Sequence, residues 1–134
     1  MADLTAVQLA LFDRLEALTL SPPLEIDWPE PPVTFVPPAD GRYLEVRFFP
    51  NVPAFQGLGG ETLDQGLFQI NVVWPKNQGE IAPGQIAKAV RAHFAVPLAL
   101  FHGGTKTKIT GTQIAAALKD ATELRIPVTI SWTA

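Results

Sequence analysis

Two stretches of the chain alternate apolar and polar residues with a period of two. In RYLEVRFF, Leu44, Val46 and Phe48 are separated by Tyr43, Glu45 and Arg47. In GLFQINVVW, Phe68, Ile70, Val72 and Trp74 point one way, and Gln69 and Asn71 the other. This is the pattern of half-buried strands, and the two are expected to pair as an antiparallel hairpin across the long connection Pro50 to Gln65. A third alternation closes the chain: in RIPVTISWTA, Ile126, Val128, Ile130 and Trp132 share a face opposite Thr129, Ser131 and Thr133. Pro127 has no N–H for a ladder, which predicts an edge strand or a bulge there.

Two stretches carry the helical period. Leu4, Val7, Leu11, Leu15 and Leu18 recur every three or four residues, predicting a helix over about 3–19 with Asp3 as its N-cap. It must stop before Pro22. PGQIAKAVRAHF predicts a second helix with Pro83 in its first position, Ile86, Val90 and Phe94 buried beside Ala89, and Lys88 and Arg91 in water. His93 falls in its last turn, where the helix dipole favours a positive charge. HGGTKTKITG reads as a glycine turn leading into a strand. In TQIAAALKDATEL, propensity favours a helix capped by Thr112, whereas its place between two strand-like segments favours an extended run with a turn at Asp120. The extended reading of Thr112–Leu118 is adopted.

The remaining long segment, SPPLEIDWPEPPVTFVPPAD, holds more than half of the chain's 13 prolines. Its apolar residues, Trp28 and Phe35 among them, are too many for a solvated linker. It is expected to be an ordered extended arm over about 21–40 that includes a short strand. The whole is expected to be a single α+β domain over 1–134, a mostly antiparallel sheet with two helices packed on one face.

With 134 residues and 47% hydrophobic content, the chain can bury one core. No apolar run is long enough to span a bilayer. The start MADLTAVQLALF lacks a basic segment ahead of its apolar part, so no secretory signal is expected, and a cytosolic location is permitted. The absence of cysteine removes disulfides, thiolate nucleophiles and cysteine metal sites. A net charge of −3 argues against a protein that grips nucleic acid.

Catalytic constellations do not assemble in the sequence. His93 and His102 have no acidic neighbour at metal-ligand spacing. Ser21 and Ser131 lie in a proline arm and a strand, outside any nucleophile-elbow context. Glu61 and Asp64 read as a solvated loop tip. GLGG, at Gly57 to Gly60, is not flanked by a strand and a helix, and no lysine–hydroxyl pair closes it as a phosphate loop. Lys106 and Lys108 share a strand face, open to phosphate, to acidic residues of another chain, or to water. Neither an enzyme nor a cofactor is expected.

RYLEVRFFPNVPAFQGLGG, GLFQINVVWPKNQG, IAKAVRAHF and PVTISW, in that order, resemble the tail terminators of long-tailed phages and prophages, minor tail or neck proteins. The markers are Arg42-x-x-x-Val46-x-Phe48 ending in Pro50-Asn51, Gly66-x-Phe68-Gln69, Pro75-x-x-x-Gly79, Ile86-Ala87 and His93-Phe94. The resemblance implies an α+β virion subunit, assembled in the host cytoplasm, that forms a ring, commonly of six copies. Such a ring caps the head-proximal end of the tail tube, halts its polymerisation and offers a joining surface to the head. The implied partners are further copies, the tube protein and the head connector, with DNA passing through the lumen unbound and no membrane.

Ring closure needs two different patches per subunit. Candidate contacts are Phe55 and Leu58 in the long loop, Phe101 with Leu98 and Leu100 before the glycine pair, and the cations Arg42, Arg47, Lys106 and Lys108. Phe55 and Leu58 either tuck onto their own sheet or reach another chain. The strand carrying Pro127, if at an edge, is a further surface for a neighbour to cover. A head-completion or connector protein of the neck, and a small-ligand module using the sheet face and glycine loops, are the alternatives.

Overall fold

The structure, a computed structural model, describes residues 4–20, 23–29, 35–50, 54–56 and 61–134, with the backbone alone at 54–56 and 61–63. Helix α1 spans Leu4–Glu16 and α2 spans Ile81–His93. The strands are β1 (Glu25–Asp27), β2 (Tyr43–Pro50), β3 (Ala54–Gln56), β4 (Glu61–Leu63), β5 (Gln65–Pro75), β6 (Leu98–His102), β7 (Thr105–Ile114), β8 (Leu118–Lys119) and β9 (Glu123–Thr133). The main sheet runs β1-β2-β5-β9-β7-β6, with β8 continuing β7 along β9; β3 and β4 form a separate two-stranded ribbon. Every pairing is antiparallel except β1 on β2. This is the expected α+β architecture.

Alternation places Leu44, Val46, Phe68, Ile70, Val72, Ile126, Val128, Ile130 and Trp132 on the face that both helices cover. From α1, Val7, Leu11 and Leu15 enter this core, joined by Ala6 and Ala10. Leu4 stays 39% exposed, and Leu18 lies past the end of the helix yet packs on the core. From α2 come Pro83, Ile86, Ala87, Val90 and then Phe94; Ala87, not Ala89, completes the stripe.

Pro83 is the third helical residue, not the first, because α2 begins at Ile81. That position is equally tolerant, since the N–H groups of a helix's first turn have no intrahelical acceptor. The expected cap at Asp3 lies outside the described residues.

The connection after β2 is less open than a loop, for β3 and β4 pair within it, Phe55 opposite Thr62. The arm is ordered where described: β1 lies parallel to the start of β2, Trp28 packs on Phe12 at 4.8 Å and Phe35 on Tyr43 at 5.1 Å. Of Thr112–Leu118, Thr112–Ile114 closes β7 and Leu118 opens β8, with an irregular, non-helical stretch at 115–117 between them. The turn follows at Asp120, whose Oδ1 accepts the N–H groups of Thr122 and Glu123.

The edge placement of Pro127 is overturned. β9 is a central strand, and Pro127 is buried within it opposite Asn71. Its carbonyl accepts from the Ala115 N–H on the β7 side, so the missing N–H points the same way. On that side the ladder lapses at 115–117, between β7 and β8. The proline is tolerated because the irregularity falls in its partner strand, and no neighbouring chain is needed to cover it.

Candidate assembly surfaces

The sheet face away from the helices is half polar and curled. At one end Tyr43, Asn71, Val73 and Pro127 are buried on it. Near its middle Glu45 Oε1 gathers three donors: Asn71 Nδ2 at 3.1 Å, Arg125 Nη1 at 2.7 Å and Arg47 Nε at 3.4 Å. Arg125 also donates to Glu123 at 3.1 Å. Burial works against the Arg125 charge, but Glu45 and then Glu123 outweigh it and raise its pKa. The cluster ties β2, β5 and β9 together across the face, and it uses up Glu45 within the subunit.

Beside it, the outer edge of β2 is open. β1 accompanies only Tyr43–Glu45, so from Val46 to Pro50 β2 has no strand partner on that side among the described residues. A groove of about 430 Å³ follows this edge, lined by Asp27, Trp28, Glu45, Arg47, Phe48 and Phe49. Phe49 is 42% exposed, and its cross-strand neighbour Leu67 is 37% exposed. The Asp27 carboxyl makes no ion pair among the described residues. Its pKa is raised, first by burial and then by the nearby Glu45 charge.

At the other edge lies the β6–β7 hairpin. Gly103 and Gly104 turn it with φ of +53° and +82°, a two-residue turn needing positive φ twice. Leu98, Leu100 and His102 face α1, where His102 Nδ1 is 3.9 Å from Asp13. Phe101 points the other way and is 72% exposed, with Lys106 Nζ 5.9 Å from its ring centre. The tip extends past the last β7–β9 pair, Lys108 with Thr133.

Of the expected contact residues, Phe101, Lys106 and Lys108 come together on this hairpin, and Arg47 sits on the groove at the opposite edge. Arg42 is engaged locally: its guanidinium lies 4.7 Å over the Trp74 ring and donates to Gln78. Phe55 has only its backbone described, and Leu58 lies outside the described residues. Asp27, Trp28 and Phe49 were missed. The adjacent aromatics Phe48-Phe49, which break the alternation at the end of β2, were the available signal.

His93 departs from the expected dipole-stabilised cation. Its Nε2 donates to the Arg14 carbonyl at 2.6 Å, while Arg14 donates twice to the His93 carbonyl, at 2.8 and 3.1 Å. Burial, in the first place, lowers the pKa of the ring. The pair locks the ends of α1 and α2 together. No group of three or more metal-ligating side chains occurs among the described residues.

The fold is a small α+β subunit whose single main sheet ends in two unlike edges. The chain belongs to the phage tail terminator family, whose model matches residues 6–132. It is therefore a tail-related virion component. No curated protein matches it. Among solved structures, one with no functional description is 25% identical, with a TM-score of 0.79 over 98% of this chain and 94% of that one. No helix among the described residues is long and apolar enough to cross a membrane.

Proposed function

We propose that the protein assembles as a ring, of six copies as is common in such caps, on the head-proximal end of the tail tube. There it stops polymerisation and gives the head connector its docking surface, acting by shape and contact without turnover or cofactor. Family membership over nearly the whole chain carries this reading. The fold supports it, because a closed ring requires two unlike patches and the sheet has two unlike edges open among the described residues. DNA crosses the lumen without being gripped, in keeping with the acidic balance of the chain.

Polymerisation of purified tube protein, followed by light scattering with and without this protein, tests the proposal. Growth arrests at sub-stoichiometric amounts if it caps tubes. Unaltered growth, with the protein recovered on heads instead, selects the head-completion reading.

A further inference from the structure

The ladder fixes the relative directions of the two open edges. β6 opposes β7, β7 opposes β9, β9 opposes β5 and β5 opposes β2, so β6 and β2 run the same way at opposite sides of the sheet. The free edge of β2, Val46–Pro50, is five residues long, and so is β6. Their chemistry is complementary. From Leu98 to Ile114 the chain carries Lys106, Lys108 and His102 and no acidic residue. The groove side carries Asp27, Glu45 and Glu123 against Arg47 and Arg125, three negative charges to two positive, and Asp27 makes no ion pair among the described residues.

We propose that the β6–β7 hairpin of one copy docks on the β2 edge of the next, β6 lying parallel to Val46–Pro50. Phe101 lies beside Phe49 on the face away from the helices, and Lys108, opposite Ala99 at the end of β6 nearer β1, reaches Asp27. The arrangement rests on the ring reading and deepens it by naming the joint. It pairs backbone groups that both edges leave without a strand partner among the described residues, a common way for a strand to add to a sheet. It also buries the most exposed aromatic of the described residues against another aromatic, Phe49. Lys108 offsets the excess negative charge of the groove side. Since the donor and acceptor edges differ, each copy offers one of each and the chain of contacts closes on itself.

The natural absence of cysteine makes the test direct. Two single variants at flanking positions that leave both aromatics in place, Arg47→Cys and Ala99→Cys, are mixed and treated with a short bismaleimide. The mixture is expected to yield a covalent dimer of one chain of each kind, while either variant alone yields almost none. Lys108→Asp and Asp27→Lys are each expected to raise the concentration for half-maximal association at least tenfold. Combining both in one chain restores most of the loss, and circular dichroism confirms that all are folded. Wild-type rings without the mixed dimer, or dimers linking like cysteines, overturn this joint and leave the ring standing. A wild type that forms neither rings nor mixed dimer, with or without tubes, overturns both.

Discussion

Single residues show where the fold has no slack. Gly66 sits in β5 between Pro50 and Trp132, and a Cβ there would lie 2.3 Å from the Phe49 carbonyl oxygen and 2.7 Å from Trp132. Both are backbone or core, so neither gives way easily. Gly66→Ala is expected to lower stability by about 1–3 kcal/mol or more, read from the urea midpoint. Glu45→Ala leaves Arg125 half-buried with Glu123 alone and should cost about 1.5–3 kcal/mol in the same assay.

His93 gives a pH test. Its folded pKa lies below the ordinary value of 6.5, so the unfolded chain takes up a proton that the folded one resists. The stability is complete above about pH 6.5 and falls as the pH drops below it toward the lowered folded value. His93→Gln should flatten that slope in urea titrations; an unchanged slope would place its cause elsewhere.

Among the elements, the three long strands were legible because alternation and burial coincide. Leu44, Phe68 and Ile130 needed no tertiary information. The edges were not legible. Pro127 suggested an edge strand or a bulge; the edge is wrong, and its tolerance depends on a lapse in the partner strand at 115–117 that only the register reveals. His93 was misread because the dipole argument is local, whereas its burial against Arg14 comes from a helix 79 residues away in sequence. The groove was hidden for a similar reason. Asp27 belongs to a proline-rich arm that runs parallel to β2 with Ile26 beside Leu44, a pairing with no local signature. The β6–β7 turn was legible from Gly103-Gly104. Nothing stands within 4 Å of either Cβ position, so Gly103→Ala and Gly104→Ala act only through positive φ, at about 1–2 kcal/mol each. Faster amide exchange at Leu100–Thr107, with α2 unaffected, would verify it.

At the scale of the whole molecule, one sheet is covered by helices on one face and left with unlike edges open among the described residues. The edge with β6 is basic and carries an exposed aromatic; the edge with β2 has an aromatic groove and a carboxylate that makes no ion pair among the described residues. A subunit of this kind is suited to closing a ring by repeating one joint. Images of negatively stained tail tubes incubated with the purified protein test this most directly. The account predicts a ring of this protein on one end of each tube. Bare tube ends beside a protein that stays monomeric at high concentration would contradict it.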